Sequence, residues 1–207
     1  MPALMIGADP PEEISKEIYG LKEKVIDICG SQQQADEPPH MTFVVNNFSS
    51  AEAVDRYLEM IARRFNPFNV VVNGITHFPH EKSGTYMLHA VIEKSHELQL
   101  LQEEIVADTS EFRQGSLLRE YLEQNIPDYK YEDKELENIK KWGYPYVGEN
   151  WEPHITIAIL EPECCEKIKE IEETGFRYEF PLNEFTLFSY LRVWKPEKRY
   201  KLGKPAP

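Results

Sequence analysis

Two short segments carry the residue types that proton-transfer chemistry needs: Pro39-His40-Met41-Thr42 and Pro153-His154-Ile155-Thr156. In an extended strand, residues i and i+2 project to the same face. Each segment therefore offers one imidazole and one hydroxyl to a common space, while Met41, Phe43, Ile155 and Ile157 turn toward a core. Imidazole titrates near a pKa of ~6.5, so around neutrality one ring can take a proton from water while the other, protonated, gives one to a departing alkoxide. A cationic ring and two hydroxyls also stabilise charge on phosphoryl oxygens. That is the equipment for hydrolysing a phosphodiester, and it calls for no cofactor and no metal. Six histidines and seven threonines in 207 residues give about 0.2 such spacings by chance, so finding two is informative.

The elements around these segments repeat. Leu4 to Gly7 reads as a short strand, not as a signal peptide, since no basic region precedes it. Asp9, with Glu12 three residues on, opens a helix whose face is Ile14, Ile18, Leu21, Val25 and Ile28, closed at Gly30. A strand from His40 to Asn46 follows. Ser49-x-x-Glu52 reads as the cap of a second helix with Val54, Leu58 and Ile61 inward, and a third strand covers about Asn69 to Phe78. The second half gives the same β-α-β-α-β order. Its elements are a strand from Thr85 to Glu93, a helix capped by Ser95 with Leu98, Leu101 and Ile105 inward, and a strand from His154 to Ile159. A helix from Pro162 with Ile168 and Ile171 inward and a last strand over about Phe185 to Trp194 complete it. Both His-x-Thr pairs thus fall on the second strand of their half. Two halves packed about a pseudo-twofold axis would set those strands side by side and turn the pairs into one cleft. A charged stretch over about Asp108 to Asn150 interrupts the second half and reads as a helical insertion, a lid, with helices over Leu117 to Gln124 and Tyr131 to Trp142.

The pattern resembles the 2H phosphoesterase superfamily, in its 2′–5′ RNA ligase (LigT-like) and cyclic phosphodiesterase branch. The segments that carry the likeness are Leu4 to Ile14, Pro39 to Phe43, Gly74 to Pro79 and Trp151 to Ile157, and the paired motif is the specific part. The resemblance implies an α+β, bilobal fold of duplicated β-α-β-α-β units around a central cleft, with the helical insertion in its second half. It implies a single domain over residues 1–207, with lobe one at about 1–80 and lobe two at about 84–207. It also implies catalytic roles for His40 and His154 and phosphate-binding roles for Thr42 and Thr156. The implied substrates are 2′,3′-cyclic nucleotides, RNA ends with cyclic phosphates, ADP-ribose cyclic phosphates and 2′–5′ linkages. Two alternatives belong to other classes: a nucleotide-binding module without turnover, and an RNA end-joining 2′–5′ ligase.

A net charge of −13 argues against a broad grip on long nucleic acid, which needs many cationic contacts. The partner expected is a small nucleotide or an RNA end, and the protein is expected to be a monomer. From Tyr190 onward, however, six cations (Arg192, Lys195, Lys198, Arg199, Lys201, Lys204) face one anion, Glu197. This reads as a solvated tail or as a local rim for phosphate. Three cysteines, two of them adjacent, form no disulfide framework, and no apolar run approaches the ~20 residues of a membrane span, so a cytoplasmic setting is expected. Trp142, Tyr144, Tyr146 and Trp151 cluster before the second motif. They read as core packing or, for Tyr146 and Trp151 with Arg192, as a rim or stacking wall for a base. His77 and His80 flank a Phe-Pro pair without the carboxylate or cysteine framework of a metal site. His89 reads as a packed or edge residue and His96 as solvent-facing, while Cys164 and Cys165, beside glutamates, are poor nucleophiles.

Overall fold

The computed structural model describes residues 3–49, 51–80, 84–125 and 130–203. Eight strands form one antiparallel sheet: β1 (Leu4–Ala8), β2 (Met41–Asn46), β3 (Phe68–His80), β4 (Thr85–Ile92), β5 (His154–Leu160), β6 (Arg177–Leu182), β7 (Glu184–Tyr190) and β8 (Trp194–Lys201). Their order across the sheet is β6-β3-β4-β5-β2-β1-β7-β8. The helices are α1 (Glu12–Cys29), α2 (Ala51–Arg64), α3 (His96–Thr109), α4 (Leu117–Asn125), α5 (Asp133–Trp142) and α6 (Lys169–Glu172). The helical faces read from the sequence are buried at Ile14, Ile18, Leu21 and Val25 of α1, Val54, Leu58 and Ile61 of α2, and Leu98, Leu101 and Ile105 of α3, whereas Ile28, expected on the same face of α1, is exposed in its last turn. No helix among the described residues is long and apolar enough to cross a membrane.

The motif strands β2 and β5 meet at the centre, joined at Met41 opposite Ile155. Each also pairs with the first strand of its own half, and each carries one extra residue at the same place. Along β1 and β2 the register runs Met5–Val45 and Ile6–Val44, then skips Phe43 to pair Gly7 with Thr42. Along β4 and β5 it runs Met87–Ile159 and Leu88–Ala158, then skips Ile157 to pair His89 with Thr156. Such a bulge shifts the in–out alternation by one. Phe43 and Val44 are therefore both buried, as are Ile157 and Ala158. The helices are exchanged between the halves, with α1 packing on β5 and α3 on β2. Each supplies a buried polar side chain to the carbonyl that the bulge frees. Gln102 Nε2 donates to Phe43 O at 3.1 Å and Lys22 Nζ donates to Ile157 O at 3.0 Å.

Several local expectations are corrected. Across the expected lobe boundary, β3 pairs with β4, its neighbour in sequence, between Val72 and His80. The chain after Gly175 forms three strands where one was expected. The alternation of Tyr178, Phe180 and Leu182 is that of a strand, and Pro181 is tolerated because β6 is an edge. Most of the basic stretch is not a tail but the opposite edge strand, β8, where lysines and Pro196 suit an exposed edge; Lys204 lies outside the described residues. Asp9 does not cap α1; its carboxylate accepts from Thr186 and Arg199 instead. Ser49 is likewise drawn away from α2, donating its hydroxyl to Phe112 O of the insertion at 2.9 Å. The helix expected from Pro162 is a short 3-10 turn followed by α6. The insertion is helical as read, with Gly143 ending α5 in the left-handed conformation.

Candidate active site

The pairing of Met41 with Ile155 fixes the motif geometry. In an antiparallel ladder the flanking residues match crosswise, so Thr42 stands across from His154 and His40 across from Thr156, on the face opposite the buried Met41 and Ile155. Directly opposed Cβ atoms in such a ladder lie about 4.5–5.5 Å apart, and the two imidazoles are near enough for the charge of His154 to act on His40. Gly7 lets β1 lie close against β2 at this point, for a Cβ there would lie 2.4 Å from Met41 O. Each threonine hydroxyl rests on a methionine sulfur of the neighbouring strand, Thr42 on Met5 at 3.2 Å and Thr156 on Met87 at 3.9 Å.

Both motif imidazoles are tethered alike. His40 Nδ1 bonds Pro38 O at 2.7 Å and His154 Nδ1 bonds Glu152 O at 2.7 Å. A carbonyl can only accept, so Nδ1 holds the proton and Nε2 is the nitrogen left to exchange one. Burial, against the pull of the Pro38 carbonyl, pushes His40 down to about 4, and the charges of Lys22 and His154 add to the fall. Burial also lowers His154, partly offset by the Glu152 carbonyl and carboxylate. Both shifts favour the neutral imidazole in the free protein.

A third imidazole stands beside them. His89, paired with Thr156, is buried, with its ring centroid 5.3 Å from that of His154 and 4.8 Å from that of Phe78. Its Nδ1 bonds Met87 O at 3.2 Å, and burial together with His154 pushes it down to about 4. The sequence shows His89 on a strand, but neither the pairing of that strand with the second motif nor the register that aims the ring at His154. Gly7 is its counterpart in the first half.

The remaining site residues separate. Trp151 is a core residue, donating Nε1 to Thr42 O at 3.0 Å and packing edge-on against Phe43, so it presents no stacking face. Tyr146 packs against the core beside Tyr144. Arg192 lies at the turn between β7 and β8, in the left-handed region with φ 95°, on the rim of a cavity of about 730 Å³. Tyr190 and Trp194, not singled out in the sequence, line the same cavity. Of the basic stretch, Lys198 is bonded to Asp55 and Glu59, and Arg199 to Asp9. His77 lies in β3, bonded to Glu172 at 2.7 Å, and the side chain of His80 lies outside the described residues. His96 is exposed. Burial more than the nearby glutamates raises the Cys165 thiol.

With this geometry in place, the relationships are clear. The chain belongs to the 2′-5′ RNA ligase superfamily, whose family model matches residues 10–194. Membership in these 2H phosphoesterases supports phosphodiesterase- or ligase-type activity. The fold resembles TT0787 of Thermus thermophilus, at 20% identity and TM-score 0.60, over 98% of this chain and 100% of that one. It also resembles Escherichia coli LigT complexed with NADP+, at 18% identity and TM-score 0.57, over 98% and 99%. LigT complexed with 3′-AMP gives 18% identity and TM-score 0.56, again over 98% and 99%. Comparison with curated proteins gives no match.

Proposed function

We propose that this protein is a metal-independent phosphodiesterase for small nucleotides carrying a cyclic or 2′–5′ phosphodiester. The crosswise placement of His40, Thr42, His154 and Thr156 about the Met41–Ile155 pair carries the reading. The two hydroxyls hold non-bridging oxygens of the phosphate. One Nε2 takes a proton from the attacking water, and the other delivers a proton to the departing ribose oxygen. Two neutral rings cannot begin that sequence, so the substrate completes the site. An anionic phosphodiester beside a buried imidazole favours the charged form and raises its pKa. The acid is thereby created on binding, while the second ring remains a base. LigT complexed with 3′-AMP is consistent with a cleft of this fold taking such ligands.

The test is a panel of 2′,3′-cyclic nucleotides, 2′–5′ dinucleotides and ADP-ribose cyclic phosphate, assayed with EDTA. Turnover of at least one, abolished in His40→Ala and His154→Ala, is expected. Binding of nucleotides with no turnover of any member would replace the enzyme with a binding module, and full activity in both variants would overturn the mechanism.

A further inference from the structure

The motifs account for a phosphate but not for what is attached to it. Val45 follows Thr42 on the cleft face, brought there by the bulge at Phe43. Its counterpart Ile159 is buried and does not line the cavity, its N–H donating to Gln33 O at 2.8 Å. Val45 instead opens onto the cavity of about 730 Å³, which lies within the ~300–1,000 Å³ range of small-molecule sites. The second half is further filled on its cleft side by His89 and Phe78, where the first half has Gly7. The cavity thus adjoins the first motif's strand at Val45, three residues beyond Thr42.

The lining suggests which substituent. Tyr190 and Trp194 face each other across the β7–β8 turn with ring centroids 5.1 Å apart and planes inclined at 60°, forming an aromatic corner. Leu118 of α4 adds an apolar wall. Asp36 and Glu37 stand on the rim with Arg192 as the cation. Two carboxylates against one guanidinium disfavour a second phosphate, whereas an aromatic corner suits a flat, uncharged ring. Arg192 holds a left-handed backbone without being glycine, a strained conformation of the kind that collects at ligand sites.

We propose that this cavity is a nucleobase subsite, in which Trp194 and Tyr190 stack the base of the nucleoside attached to the phosphate held by the two motifs. The assignment rests on the phosphodiesterase reading for its phosphate but is tested by binding. Base–aromatic stacking contributes enough that its loss weakens binding about tenfold or more. Adenosine 3′-monophosphate titrated into the protein should quench tryptophan fluorescence, and Trp194→Phe should remove most of that quenching while keeping affinity. Trp194→Ala should weaken nucleotide binding about tenfold, with the kinetic effect falling on KM rather than kcat, while the affinity for inorganic phosphate stays unchanged. Val45→Phe, which narrows the cavity without touching the turn, should weaken the nucleotide and spare phosphate in the same way. Equal nucleotide affinity in the wild type, Trp194→Ala and Val45→Phe would overturn the subsite even if turnover is intact. Loss of phosphate and nucleotide affinity together would likewise count against it, as a folding effect. Absence of turnover with selective nucleotide binding would instead keep the subsite and remove the enzyme.

Discussion

The two halves of the cleft agree in backbone and differ in side chain. Each has a His-x-Thr, a bulge one residue after the threonine, a methionine under the hydroxyl, and a helix from the other half whose polar side chain bonds the bulge carbonyl. At equivalent places, however, the first half has Gly7, Gln102 and an open Val45, whereas the second has His89, Lys22 and a buried Ile159. Symmetry suffices to grip a tetrahedral anion. Asymmetry is what gives a bound diester a direction, because its two substituents meet unlike surroundings. The comparison can be broken by making the halves respond alike.

The largest effect belongs to what they share. His40→Ala and His154→Ala should each lower kcat by about 10²–10⁴-fold, the usual scale of general acid–base catalysis. Steady-state turnover in EDTA measures this, and a loss in one variant only would mean that the halves do not share the chemistry.

The acidity of the rings comes next. Catalysis needs one imidazole neutral and one protonated, and in the free protein both lie below their ordinary value, His40 at about 4. The correctly mixed form is then most populated below pH ~6.5, so kcat/KM should peak on the acid side of that value. In the complex the phosphate raises the protonated ring, so the peak of kcat should lie at higher pH than that of kcat/KM. Coincident peaks would show that the substrate does not supply the charge.

Exchanging the unlike residues tests direction. Gly7→Ala drives a Cβ against Met41 O, so β1 and β2 must part; a loss of about 1–3 kcal/mol in denaturant unfolding, with lower activity, is expected. His89→Gly makes the second half resemble the first. It should cost less activity than either motif substitution, and by opening His154 to water it should move the kcat/KM optimum upward. An unmoved optimum would reduce His89 to packing.

Features governed by short-range rules are legible in the sequence. Helix faces show as buried residues three and four apart, and the motif strands show as alternation. Features that depend on register are concealed. Nothing local distinguishes His89, aimed at His154, from an edge histidine, or Trp151, enclosed by Phe43, from a stacking wall. The bulges are invisible for the same reason, since Met41-Thr-Phe-Val-Val45 and Ile155-Thr-Ile-Ala-Ile159 look like plain strands until their partners are known. β6 was hidden by Pro181, which only an edge position makes acceptable. Asp9 and Ser49 had the sequence of helix caps but bond residues far along the chain. The repeat showed that the halves are related, and only the sheet shows how they interleave.

The smallest effect on activity, and the one that best isolates charge from shape, comes from Lys22. It is buried, bonded to Gln34 O at 2.8 Å and Ile157 O at 3.0 Å, and burial pushes it down to about 8 despite the opposing charges of Glu37 and Asp36. Its charge is one of the influences that hold His40 down. Lys22→Gln would give the second half the amide that the first half has in Gln102. Without the ammonium His40 should rise slightly, moving the acid limb of kcat/KM upward. Stability carries a separate sign. An unfolded lysine titrates near ~10.4, so between about pH 8 and that value the unfolded chain binds more protons than the folded one, and stability rises with pH. Wild type should therefore gain on Lys22→Gln across that window, by up to roughly 3 kcal/mol if the carbonyl bonds survive deprotonation. A constant difference from pH 7 to 10 in urea unfolding would mean that burial does not lower the Lys22 ammonium below its unfolded value, and that the asymmetry between the halves at this point is one of shape and not of charge.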